Sequence, residues 1–215
     1  MLLKRPLVNT PEARADKFDI LELIRFERYC RDNALWDEMR KCFSEDSFVN
    51  ISWYQGSGDG FVTASSKSPD YAPHRVYGGL TWLQGERAVT VLPVSIQTRK
   101  TIGGVLCELT ADSRLVFRTV KRGGQWYIAG FEGVYDKDCL VPVLPDAKLT
   151  LGAETLGKYR ESYACLSYVL ELAGLSVQDD LPGRDRPETE AALWEKLDRW
   201  LDGGEYTEVN NDAGL

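Results

Sequence analysis

Residues 84–128 read QGERAVTVLPVSIQTRKTIGGVLCELTADSRLVFRTVKRGGQWYI, and this stretch decides the fold. It is rich in β-branched and aromatic residues and is punctuated by Gly85-Glu86, Gly103-Gly104 and Gly123-Gly124. Glycine enters positive φ without a steric penalty, so these dipeptides suit the tight turns of antiparallel hairpins. Between them Ala88, Thr90, Leu92, Val94 and Ile96 share one face of a strand; Leu115 with Phe117, and Trp126 with Ile128, do the same in the next two. Strand segments are therefore expected near 74–83, 86–101, 103–121 and 125–136.

Upstream, the sequence turns helical. Asp19 followed by Glu22 resembles a capping box, and Ile20, Leu23, Ile24 and Phe26 supply an apolar stripe running to about Tyr29 or Cys30. Arg31-Asp32-Asn33 breaks it, and a short second helix follows around 35–43. Phe48–Tyr54 has strand composition, Gly56, Gly58 and Gly60 form a turn, and Phe61–Lys67 suits a helical turn or two. Beyond Pro142–Asp146, Leu156, Tyr159, Tyr163, Leu166 and Leu170 recur at helical spacing up to Gly174, and Pro187 suits the first turn of a last helix. Helices first, then long antiparallel strands, is an α+β pattern. The expected divisions are an arm over 1–17, the main domain over 18–145, a helical extension over 146–204 and a flexible tail over 205–215.

The net charge of −7, with no concentrated basic run, argues against nucleic acid as partner. No stretch has the roughly 20 apolar residues that span a bilayer, and no secretory leader is read at the N-terminus. Five widely spaced cysteines do not suggest a disulfide framework, so reduced thiols and a cytoplasmic location are expected. One histidine and no paired cysteines leave no recognisable zinc or iron site, and the glycines at 56–60 lack dinucleotide spacing. No metal or cofactor is expected.

His74, the sole histidine, is the one imidazole that could shuttle a proton near neutrality. Asp32, at the break between the first two helices, is either a helix-end residue or the carboxylate that orients that imidazole. Trp53, Tyr54, Tyr77 and Trp82 could line a pocket or fill a core. Glu108, set between Leu106, Cys107 and Leu109, could face a cavity as a second acid or lie solvated on an outer face.

The run Tyr29-Cys30-Arg31-Asp32…Trp36…Phe43-Ser44-Glu45-Asp46-Ser47 resembles the opening of SnoaL-like proteins, within the nuclear transport factor 2-like superfamily. His74 with Gly78, then Gly85-Glu86-Arg87-Ala88, resembles their His-led strand and the turn that follows. Arg122–Ile128 resembles their closing hairpin, and the resemblance spans about 15–140. It implies a cone-shaped half-barrel, a strongly curved and mostly antiparallel sheet with N-terminal helices, here with a C-terminal helical extension. Its enzymatic members include scytalone dehydratase, hexachlorocyclohexane dehydrochlorinase and polyketide cyclases. In the first two an Asp and a His form a dyad that falls on Asp32 and His74; scytalone dehydratase's second histidine has no counterpart. Tyr29 joins the candidate substrate contacts.

The resemblance thus implies a cofactor-independent lyase of dehydratase type, or an isomerase or cyclase, acting on a small hydrophobic or cyclic organic substrate. The other expectation is a non-catalytic binding or association module on the same fold. A homo-oligomer, dimer or trimer, is expected, as is common for a small enzyme.

Overall fold

The computed structural model describes residues 2, 4–5, 10–67 and 72–207. The rest of the expected N-terminal arm and the tail beyond 207 lie outside the described residues. Helix α1 runs over Pro11–Asp32, α2 over Trp36–Arg40 and α3 over Gly58–Ser66. Strands β1 (Phe43–Ile51) and β2 (Tyr54–Ser57) flank the turn before α3, and β3 (His74–Val76), β4 (Leu80–Gln84), β5 (Arg87–Ile102), β6 (Val105–Arg122) and β7 (Gln125–Pro142) follow. They form one curved, unclosed seven-stranded sheet in the order β2-β1-β7-β6-β5-β3, with β4 also paired to β5. All pairings are antiparallel except β1 with β7. This is the α+β half-barrel that the sequence leads one to expect.

The glycine pairs make the turns assigned to them: Gly103 and Gly104 have φ of 56° and 82°, and Gly123 and Gly124 have 58° and 83°. Positive φ at both central residues matches the strand twist. Some boundaries differ from expectation. Helix α1 starts at Pro11, so 11–17 is helix rather than arm; Thr10 Oγ1 accepts from the Ala13 amide at 3.2 Å and Pro11 sits in the first turn. A hydroxyl cap followed by proline is a stronger start than the Asp19–Glu22 pattern. Strand β7 runs to Pro142 instead of about 136, because a register shift opposite Asp112/Ser113 leaves Asp136 bulged and lets the ladder resume. The segment expected at 74–83 is interrupted at Tyr77–Gly79 and becomes β3 and β4.

Apolar side chains sort onto the two faces of the sheet. Ile20 and Ile24 of α1 and Phe61 of α3 pack on its inner face against Phe43, Leu92, Leu115, Phe117, Ile128 and Phe131. Farther along β6 and β7 the same face carries Cys107, Leu109 and Tyr135, covered by Leu166 and Val169 of α5 (Ala164–Leu172). The outer face carries Val89, Val116 and Val134 under Leu193, Leu197 and Trp200 of α6 (Pro187–Leu201). The C-terminal helices thus close the sheet from both sides. The helical stripe expected over 156–170 is broken at Arg160, whose guanidinium grips the Asp185 carboxylate at 2.6 and 2.7 Å while its backbone stays extended.

Helix α1 ends in a turn with Ala34 at φ 57° and a Leu35 N–H to Cys30 C=O bond of 2.9 Å. A left-handed residue here is normally glycine, since a Cβ is strained at positive φ. Ala34→Gly is expected to stabilise the protein by about 0.5–1 kcal/mol, read as a higher urea midpoint at unchanged slope. An unchanged or lower midpoint would show that the turn carries no such strain.

Candidate functional site

The turn at Ala34 leaves Asp32 on the last turn of α1, pointing at the edge strand β3. Asp32 grips His74 twice: one carboxylate oxygen lies 2.7 Å from the ring Nδ1 and the other accepts the His74 backbone N–H at 2.8 Å. The backbone bond fixes where the strand begins and the ring bond fixes how the imidazole turns. With a carboxylate against Nδ1, the neutral ring carries its proton there and presents the Nε2 lone pair inward. The imidazole is 6% exposed and the carboxylate 14%. Asp32 and His74, 42 residues apart in sequence, are therefore brought together as a pair.

Facing Nε2 is a residue that the sequence reading passed over. Arg28 Nη1 lies 3.4 Å from Nε2, while its Nε and Nη2 bind the two carboxylate oxygens of Glu27, each at 2.5 Å. The Arg28 guanidinium stacks over Phe131 at 5.1 Å and Phe61 at 5.7 Å from the ring centroids. The Glu27 side chain is fully buried and that of Arg28 nearly so. A chain of polar groups, Glu27–Arg28–His74–Asp32, thus crosses an otherwise apolar interior. The signal was there to read. Glu27 and Arg28 follow Ile24 by three and four residues, on the same helix face as Ile20 and Ile24.

Burial dominates the electrostatics. It pushes the His74 pKa down to about 4, with Arg28 and Arg31 acting in the same sense and Asp32 opposing them. Burial also pulls the Asp32 carboxyl upward, but the hydrogen bonds from His74 win and hold it below the usual carboxylate range. The imidazole is therefore neutral at pH 7, with its Nε2 lone pair facing the Arg28 guanidinium.

The other candidates are scattered. Trp53 and Tyr54 sit at the rim of the inner aromatic cluster, 5.6 Å from the Phe61 ring in each case. Trp82 does not line the interior: it pairs with Val89 on the outer face, packs under α6, and donates its indole N–H to Lys4 C=O at 2.8 Å. Glu108 is also on the outer face, between the inward-facing Cys107 and Leu109, and accepts from Arg99 Nε across the ladder at 2.8 Å. Tyr77 is 54% exposed with its hydroxyl 3.3 Å from Ser95, and Tyr29 is 58% exposed on the outer side of α1. These four are not pocket residues in this structure. Phe26, the last residue of the apolar stripe named for α1, is 44% exposed. Clefts of about 350 and 240 Å³ open beside α6, away from His74.

No family model matches the sequence. Among curated proteins, pea pathogenicity protein 2 of Fusarium vanettenii is 30% identical over 213 residues, covering 91% of this chain and 90% of the relative. The chain belongs to the pea pathogenicity protein 2 family. An uncharacterised protein of Emericella nidulans is a further relative, 31% identical over 193 residues and 81% of each chain. Among solved structures, a scytalone dehydratase-like protein of Novosphingobium aromaticivorans superposes with a TM-score of 0.51 at 14% identity, over 63% of this chain and 97% of that one. A hexachlorocyclohexane dehydrochlorinase of Novosphingobium barchaimii gives 0.52 at 11% identity, over 65% and 97%. This member of the pea pathogenicity protein 2 family therefore has the nuclear transport factor 2-like fold, matched over 63–65% of the chain. Among the described residues, no helix is long and apolar enough to cross a membrane.

Proposed function

We propose that the chain is a cofactor-independent lyase or isomerase in which His74 takes a proton from carbon. The observation that carries this reading is the two-point grip of Asp32 on His74, at 2.7 and 2.8 Å, with Nε2 turned inward. Asp32 holds the tautomer and stabilises the imidazolium formed when Nε2 accepts the proton. Arg28, now on Nε2, must yield that position to the substrate C–H. From there Nη1 can receive the oxygen or leaving group on which negative charge develops. Loss of water or halide would make the reaction an elimination, and return of the proton at another carbon an isomerisation. The aromatic surroundings, Phe61, Phe131 and Trp53, suit a small hydrophobic or cyclic compound. Named activities among the structural neighbours, dehydratase-like and dehydrochlorinase, lend support at the level of reaction class.

A second reading is favoured by one feature. Nε2 is already occupied by Arg28 and the ring is 6% exposed. On that reading the four polar groups hold the core together and the protein binds partners without turnover. The reactions differ in deuterium oxide. A panel of cyclic ketones, hydroxyketones and halocarbons incubated with the protein is expected to yield at least one compound that exchanges solvent deuterium or eliminates. Conversion of none across the panel would favour the binding reading.

A further inference from the structure

The outer side of α1 carries a pattern that nothing in the proposed chemistry uses. Phe18 and Tyr29 are 64% and 58% exposed, large apolar groups left largely uncovered by the described residues. They are eleven residues apart, about three helical turns, so both point the same way. Between them on this face stand Glu22 and Arg25, with Phe26, 44% exposed, on the shoulder.

The pattern is symmetric in sequence. The midpoint of 18 and 29 and the midpoint of 22 and 25 both fall between Leu23 and Ile24, close to the centre of the 22-residue helix. We propose that two copies of this chain associate through α1, antiparallel about a two-fold axis at that midpoint. Reversing a helix about this point sets Phe18 against the second copy's Tyr29, and Glu22 against its Arg25. A surface that matches itself in this way is what an isologous interface requires. Aromatic groups supply the buried area and the opposite charges fix register and direction. Within one chain the Glu22–Arg25 pair is long, at 3.8 Å, and both side chains are about half exposed, so exchange across the axis gives up little. A two-fold contact also closes on itself, which predicts dimers and no higher ring.

Sedimentation equilibrium of the full chain decides the matter, with wild type, Glu22→Arg, Arg25→Glu and the double reversal compared. Wild type is expected to dimerise. Each single reversal places like charges across the axis and should weaken association at least tenfold. The double reversal restores opposite charges and should recover it. Circular dichroism of each variant confirms that the fold is retained, as expected for exposed positions. A monomeric or trimeric wild type would overturn the proposal. So would single reversals that dimerise normally, or a double reversal that stays monomeric.

Discussion

Glu27→Ala is expected to lower the free energy of unfolding by about 3–5 kcal/mol, the largest stability effect of any single substitution at the site. Glu27 is fully buried and holds two edges of the Arg28 guanidinium. Removing the carboxylate strands a positive charge among Phe61, Phe131 and the inner core. The attraction lost is only part of the effect. The larger part is desolvation of a cation that has lost its counter-charge. The double variant Glu27→Leu with Arg28→Met removes both charges while keeping volume, so it is expected to be far closer to wild type than Glu27→Ala. Urea unfolding of the three proteins reads the difference directly. A Glu27→Ala midpoint near that of wild type would mean that water reaches Arg28 and that the interior is open.

The second large effect concerns turnover. Once a converted compound is in hand, His74→Ala is expected to reduce kcat/KM by about 10²–10⁴, the usual contribution of a positioned general base. Asp32→Asn should also slow the reaction, since an amide at that position neither enforces the tautomer nor balances the imidazolium. Because burial holds His74 near 4, the acid limb of the kcat/KM profile should lie at about pH 4 rather than near 6.5. Undiminished activity in His74→Ala, with the fold intact, would remove the histidine from the reaction.

Much of the architecture is written in local chemistry. Gly103-Gly104 and Gly123-Gly124 mark their turns because positive φ has few other solutions, and alternation along 88–96 identifies the inner face of β5. The Asp32–His74 contact spans 42 residues and is not readable from spacing; the likeness to a known fold brought the two together. Glu108 and Trp82 were ambiguous because a mid-strand residue has two faces to choose from. Cross-strand partners decide them, Arg99 for one and Val89 for the other, and register is a tertiary property. Glu27 and Arg28 were missed for the opposite reason. Their helical phase puts them on the face of Ile20 and Ile24, but charged side chains are ordinarily solvated, and residue type outweighs phase. The break at Arg160 likewise depends on Asp185, 25 residues on.

The pairing of Asp32 with His74 is the central claim, and nitrogen NMR of the single imidazole tests it without any substrate. At pH 7 the expected spectrum has a protonated Nδ1 and an unprotonated Nε2, with a titration midpoint at about 4. Asp32→Asn should lower that midpoint further, because the carboxylate raises the imidazole pKa against burial, and should mix the tautomers. A wild-type ring titrating near 6.5 as a mixture of tautomers, unmoved by Asp32→Asn, would contradict the pairing and the proton chemistry built on it.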